Sequence, residues 1–577
     1  MTKRRKRGPT RGRYVFLLGV MLAALTVVGA RLVYLQVVAA PAYARQAADQ
    51  RIRDIILSPR RGSVYDREGE PLAVSMEART IYGVPHAVQD PKGTASALAG
   101  ILDGDPVDYE ARLRKDSGFV YIARKVDMDK AEAVELLDLA GIGFLEDSRR
   151  TYPSGELACQ VLGFVGVDDE GLAGLEQYYD ELMAGEPGTV LAERDPYGRP
   201  IPGGVMHRED PIHGSDIILT IDTDIQYQTQ VELANAVEKW GAKSGTAIVM
   251  DPRSGEIYAM ATVPGFNPND FGSAEPYTYR NRALTDVYEP GSTIKALTAA
   301  AVLEENLFSP DSVLGLPSTI EVGGRTIGES HYRPPVSWTL TEIVTKSSNV
   351  GAVKLGMALG EEGLYDYFDR FGLTEKTDVD FPGETMGYLP PVDQWSGSSI
   401  GNIPFGQGLS TTPLQLLRAM SAIANGGELV TPHFLLALPD DPDAALSWPK
   451  EDAISASTAA SMRTVLKTVV AEGTGGNAAV PGYEVAGKTG TAQKARADGK
   501  GYAEDKYVGS FIGFLPAQDP QLLILVTLDE PSNAIYGGAV AAPTFSKLAQ
   551  FSVSHLKIPP TSETVTGDST ATAAPGQ

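Results

Sequence analysis

Hydrophobic and polar positions divide the chain into three textures. The first is an apolar run from Tyr14 to Ala30, at the short limit of a membrane span. Arg31 can snorkel, and Leu32, Val33, Leu35, Val37 and Val38 lengthen the run, so a transmembrane anchor is predicted over 14–38. The second texture, over 39–215, is mixed. Helical patterns at Ala95 to Leu102 and Ala131 to Leu139 accompany a short strand at Gly118 to Arg124, and Gly62 and Gly69 bracket a strand-like piece read as a structural hairpin. The third begins at Asp216. Ile217 to Ile221 reads as a strand, and Ile225 to Trp240 as an amphipathic helix with Ile225, Val231, Leu233, Ala236 and Val237 apolar. Thr246 to Asp251 and Glu256 to Val263 are strand-like around a turn at Pro252 to Gly255, and Ser510 to Leu515 and Leu522 to Leu528 read as core strands. A hairpin beside helices predicts an α+β domain, an antiparallel sheet with helical flanks, over 216–556. Residues 557–577, rich in Thr, Ser, Ala, Pro and Gly, are predicted to be disordered.

Charge adds orientation. Lys3, Arg4, Arg5, Lys6, Arg7, Arg11 and Arg13 crowd the first 13 residues without an acid, while the formal net charge of the whole chain is -23. The basic cluster before the apolar run puts residues 1–13 in the cytoplasm and residues after about Gln36 outside. A cleaved signal peptide is the alternative, with Ala39, Ala40, Ala42 and Ala44 as small residues near a cut; the long apolar run favours an anchor. The acidic balance argues against a nucleic-acid partner. A lone cysteine, Cys159, allows no internal disulfide, and the six histidines are scattered, so neither a metal site nor a cofactor is expected. The glycines of Gly163 to Gly166 and Gly171 to Glu176 lack the Lys-Ser/Thr ending of a phosphate loop and read as backbone turns.

The chemistry starts at Tyr288-Glu289-Pro290-Gly291-Ser292-Thr293-Ile294-Lys295, followed by the alanine-rich run Ala296 to Glu305. A tight turn delivers Ser292 to a helix start, and Lys295 lies on the same helical face. Serine beside an amine base can become a nucleophile. The pattern is cheap by itself, since Ser447-Trp448-Pro449-Lys450 repeats it in a loop-like context. Order adds weight: Ser347-Ser348-Asn349 follows, and then Lys488-Thr489-Gly490-Thr491. The last also has a decoy, Lys243 to Ala247, leading into a scaffold strand. Acyl transfer needs a nucleophile, a base, a proton relay and oxyanion donors. Ser292 suits the first and Lys295 the second, provided burial and nearby cations lower its pKa. Ser347 suits the relay, Asn349 offers an amide to substrate and to Lys295, and Lys488 adds charge. Thr489, Gly490 and Thr491 are expected on an edge strand that binds a carboxylate-ended peptide, with the N–H groups of Ser292 and Thr491 as oxyanion hole.

With these three elements the chain resembles the class B penicillin-binding proteins, the peptidoglycan D,D-transpeptidases, most of all the septal cell-division type. The resemblance extends to Arg61-Gly62 with Asp66-Arg67, Tyr152-Pro153, Gly174-Leu175-Glu176, Phe405-Gly406-Gln407-Gly408-Leu409, Tyr536-Gly537-Gly538 and Ala541-Ala542-Pro543. It implies a serine β-lactamase/transpeptidase-like domain behind a membrane helix and a non-catalytic pedestal over 39–215 that dimerises or meets partners. It implies a donor ending in D-Ala-D-Ala, an acyl-enzyme on Ser292, covalent β-lactam binding, and a separate membrane glycan polymerase and division proteins as partners. An elongation-type relative and a D-Ala-D-Ala carboxypeptidase remain alternatives. A secreted β-lactamase would lack the anchor and pedestal, and a β-lactam sensor would want a larger cytoplasmic part. An inactive scaffold sits poorly with the intact trio.

Overall fold

The computed structural model describes residues 10–43, 52–193, 206–496 and 501–561. Most of the basic N-terminal segment and residues 562–577 lie outside them. Contacts divide the chain into two compact units. The larger comprises Arg61–Met76, Arg150–Gly185 and the chain from His213 onward; the smaller comprises the chain up to Arg60, Glu77–Arg149 and Glu186–Ile212. The chain passes between the units five times, rather than once near 215.

The centre of the larger unit is a five-stranded antiparallel sheet. Its strands are β1 (Ser244–Met250), β2 (Ile257–Val263), β3 (Ala486–Ala495), β4 (Tyr502–Leu515) and β5 (Leu522–Asp529), in the order β2-β1-β5-β4-β3. Both faces are covered. Ile248, Met250, Ile512, Phe514, Leu523 and Leu525 enter one core; the intervening Ala247, Val249, Phe511, Ile524 and Val526 enter another. This explains why Leu522 to Leu528 reads as a continuous apolar run instead of alternating. The first core holds the helices Lys295–Glu304, Pro413–Ala424 and Ala456–Ala471. The second holds Thr223–Trp240 and Ala542–His555. Asp222 caps the first of these by accepting from Ile225 N, and Gly241 ends it in the left-handed region at φ 57°.

The segments that return from the smaller unit complete this fold. Val64–Tyr65 pairs in parallel with Ile217–Leu219, and antiparallel with the start of strand Pro71–Gly83. Glu176 lies buried between two arginines, with Arg61 Nε and Arg150 Nε each 2.7 Å from one carboxylate oxygen. Tyr152 donates to the same carboxylate at 3.1 Å. Gly62 is required here, because a Cβ would stand 1.9 Å from the Ser215 carbonyl. The hairpin residues therefore play the structural part expected of them. The spaced glycines do form turns: Gly163 and Gly174 have φ of 77° and 60° and flank the pairing of Phe164–Val165 with Gly171–Ala173. One expectation is corrected at the C-terminus. Residues up to Thr561 are anchored, with Ile558 buried and its carbonyl accepting from Tyr483 at 2.6 Å.

In the smaller unit, strand Val120–Asp127 pairs with the second half of Pro71–Gly83, covered by helices Pro91–Leu102, Pro106–Leu113 and Met128–Glu135 around Ile81, Leu98, Ile122 and Val134. The last of these helices is shorter than its pattern predicts, with Asp138 beyond its end left-handed at φ 45°. A three-stranded sheet joins Ile52–Leu57, Gly188–Glu193 and Met206–Glu209. The helix Thr10–Val33 continues as a π-helical turn, Tyr34–Val38, and Arg11–Val38 is long and apolar enough to cross a membrane.

Candidate active site

Ser292 sits on a 3-10 turn, Gly291–Ile294, that feeds the helix Lys295–Glu304. From Lys295 to Leu303 every residue of that helix is buried, as its apolar character all round requires. Gly291 turns the chain at φ 56° and donates its N–H to the Gly406 carbonyl at 3.0 Å. Gly406 is in turn fixed as glycine: its φ is 89°, and a Cβ there would meet the Gly291 carbonyl at 2.0 Å. Ser292 is half-buried and faces a cleft of about 750 Å³ that Ser347, Asn349, Thr489 and Thr491 also line.

One turn on, Lys295 is 2% exposed. Its Nζ donates to the Ser347 carbonyl at 2.6 Å and to Asn349 Oδ1 at 2.7 Å, and lies 3.3 Å from Ser347 Oγ. Lys488, fully buried, approaches the same hydroxyl from the sheet, with Nζ 3.0 Å from Ser347 Oγ. Burial holds Lys295 well below the ordinary lysine range; the charge of Lys488 adds to this and that of Glu329 opposes it. Burial alone pushes Lys488 down to about 7. Two amines thus converge on one serine hydroxyl, and neither is held as a permanent cation. Ser347 itself adopts a left-handed backbone at φ 59°, which costs an L-residue on the order of 1 kcal/mol. It lies between helices Leu340–Thr345 and Asn349–Leu359.

Strand β3 carries the third element and is the sheet's edge on the cleft side. Thr489 Oγ1 is 2.8 Å from Thr474 Oγ1, and Thr491 Oγ1 accepts from Gly537 N at 3.1 Å. A Cβ on Gly490 would meet Ser510 Oγ at 2.2 Å and the Pro290 carbonyl at 3.2 Å, so a glycine lets the strand lie against the turn that carries Ser292. The decoys fall elsewhere. Lys450 starts an exposed strand paired with Glu428–Val430, and Lys243 precedes β1 with its amine 3.8 Å from Glu530.

The family described as the penicillin binding protein transpeptidase domain matches residues 245–550, and the penicillin-binding protein dimerisation domain matches 56–219. Stage V sporulation protein D of Bacillus subtilis is 37% identical over 565 residues, spanning 95% of this chain and 86% of that protein. The chain belongs to the class B penicillin-binding proteins. Peptidoglycan D,D-transpeptidase FtsI of Escherichia coli is 35% identical, spanning 96% of this chain and 94% of that protein. Among solved structures, penicillin-binding protein 3 of Mycobacterium tuberculosis, complexed with aztreonam, superimposes with a TM-score of 0.70 at 32% identity, over 88% of this chain and 98% of that one.

All the residues expected at the site of this penicillin-binding protein lie at the cleft or in contact with residues that line it. Sequence reasoning missed Glu329. It accepts from Ser348 Oγ at 2.5 Å and from Asn349 N at 2.6 Å, and pairs with Arg333 at 2.6 Å. No local signal marks it out among 73 acidic residues. His331 and Tyr536, whose side chains approach to 3.3 Å, line the far side of the cleft. Glu68, Asp222 and His555 come within metal-ligand reach of one another, but Asp222 is already engaged as a helix cap and as partner of His555 at 2.9 Å.

Proposed function

We propose that Ser292 is the nucleophile that transfers a stem peptide from a D-Ala-D-Ala donor to a neighbouring stem. The observation that carries this is the convergence of Lys295 Nζ and Lys488 Nζ on Ser347 Oγ in the cleft that Ser292 lines. A neutral amine has two N–H bonds and one lone pair. Lys295 uses donors on the Ser347 carbonyl and Asn349 Oδ1, which can only accept, so its lone pair is left to take up a proton, with Ser347 Oγ the hydroxyl 3.3 Å away.

The donor peptide adds as a strand along β3, with its carboxylate toward the hydroxyls of Thr489 and Thr491 and the charge of Lys488. Ser292 Oγ bonds to the carbonyl carbon of the penultimate D-alanine as its proton passes to Lys295. The N–H groups of Ser292 and Thr491 hold the resulting oxyanion, each worth about 10²–10³ in rate. Collapse breaks the C–N bond. The proton returns through Ser347 Oγ to the leaving nitrogen, and terminal D-alanine departs. An amine of a second stem then attacks the acyl carbon, and Ser292 regains its proton. A β-lactam ring enters the same sequence and stops at the acyl-enzyme.

The cellular part of the reading is septal wall synthesis. The helix Arg11–Val38 is the single anchor, the basic N-terminus is cytoplasmic, and the pedestal region meets a membrane glycan polymerase and other division proteins. Labelled penicillin is expected to attach to wild-type protein and not to Ser292→Ala; equal labelling of the two would sink the assignment. With donor peptide and an added D-amino acid, exchange is expected, whereas hydrolysis alone points to a carboxypeptidase. A fluorescent fusion is expected at midcell, and side-wall signal points to elongation.

A further inference from the structure

We infer that Glu329 is a positioning residue for acylation, acting through Ser348 and Asn349 on Lys295. The inference rests on the acyl-transfer reading above. Glu329 follows the hairpin Thr319–Val322 and Arg325–Gly328. Its side chain is 9% exposed, and both carboxylate oxygens are engaged. Oε1 accepts from Ser348 Oγ and Arg333 Nη2, and Oε2 accepts from the Asn349 backbone N–H.

These bonds account for the middle serine of Ser347-Ser348-Asn349. Ser348 Oγ donates to Glu329 and accepts from Gly351 N at 2.9 Å, so its hydroxyl caps the helix Asn349–Leu359 while tying it to the carboxylate. The orientation of the Asn349 amide follows from its neighbours. Nδ2 donates to the Gly328 carbonyl at 3.1 Å, which can only accept, so Oδ1 must be the atom turned to Lys295. Residues 328 and 329 thus hold Asn349 by its side-chain amide and its backbone N–H. That grip sets where Lys295 finds its acceptors, and it steadies Ser347, the left-handed residue two positions earlier. Glu329 is also the carboxylate whose charge acts on Lys295, opposing that of Lys488; Arg333 is the cation paired with Glu329 itself.

Geometry and charge separate in two variants. Acylation requires neutral Lys295, so its rate rises with pH through the Lys295 pKa. Glu329→Gln removes a charge that raises that pKa, so the acidic limb of the pH–rate profile is expected to move to lower pH. The misplaced amide should at the same time lower the plateau about tenfold to a hundredfold. Glu329→Asp keeps the charge but shortens the reach to Asn349 N. It is expected to lose plateau rate with the limb unmoved.

The experiment is the second-order rate of acylation by a fluorescent penicillin between pH 5 and 9, on full-length protein in detergent, normalised to the amount folded by thermal melting. Wild type that fails to acylate overturns the acyl-transfer reading. Wild type that acylates, with Glu329→Gln matching it in rate and limb, overturns the inference and leaves that reading intact. A rate loss that normalisation removes, with an unmoved limb, also overturns it. Should Glu329→Gln not fold, Glu329→Asp decides: a lower normalised plateau supports the positioning role and an unchanged one removes it.

Discussion

Two buried amines share one hydroxyl in this enzyme, and burial lowers the pKa of both. Lys488 has a folded pKa of about 7, below the unfolded lysine value. Between pH 7 and the unfolded pKa the unfolded chain binds the proton that the folded chain does not, so stability rises with pH across that window, by up to about 1.4 kcal/mol per pH unit. Lys488→Met lacks this dependence. Its thermal midpoint relative to wild type is expected to be most favourable at or below pH 7 and to lose ground steadily towards pH 10. The same substitution removes a charge that depresses Lys295. The acidic limb of acylation should therefore move up in pH, opposite to the shift expected for Glu329→Gln. The named side chains of this site were legible in the sequence because catalysis needs particular groups in a particular order. Burial, expected together with nearby cations, is the larger cause of the Lys295 shift, and the charge of Lys488 comes second. Glu329 was illegible because it acts on backbone and hydroxyl groups brought near it only by folding.

At the scale of elements, the turn that carries Ser292 is held by contacts too close for any side chain. Gly406 lies under Gly291 and Gly490 beside Pro290. Gly406→Ala needs both a strained left-handed alanine and about an ångström or more of backbone movement. Acylation is expected to fall at least about 10²-fold, with a stability loss of roughly 1–3 kcal/mol, read from penicillin labelling rates and melts. Strands β1, β2 and β5 and the helix Thr223–Trp240 stand close to where the hydrophobic pattern predicts them. β4 extends from Tyr502, well before the expected Ser510. Its first part, Tyr502 to Tyr507, carries Glu504, Asp505 and Lys506, and partial exposure there hides the strand from a reading that looks for apolar runs.

The whole molecule is where pattern reading gave least, because contacts between distant segments leave no periodic trace. Val64, Leu72, Tyr152, Val161 and Leu175 belong to the same core as Ile217 and the helix Lys295–Glu304. A protein beginning at residue 213 would uncover that core and leave strand Ile217–Leu219 without its parallel partner. It is expected to aggregate on expression, while residues 52–577 give soluble protein that labels with penicillin; a monomeric, penicillin-reactive 213–577 fragment would contradict this. The pairing of β1 with β5 joins Ser244 to Asp529, and this has a consequence for how the chain is made. Synthesis from the N-terminus delivers β1 long before β5. Until the last strands arrive, the hairpin of β1 and β2 keeps the other edge of β1 open and its apolar faces uncovered. Such long-range antiparallel pairing is slow and exposed to aggregation. The demand for holding factors and quality-control proteases should thus peak while this chain is being made, before any substrate is met.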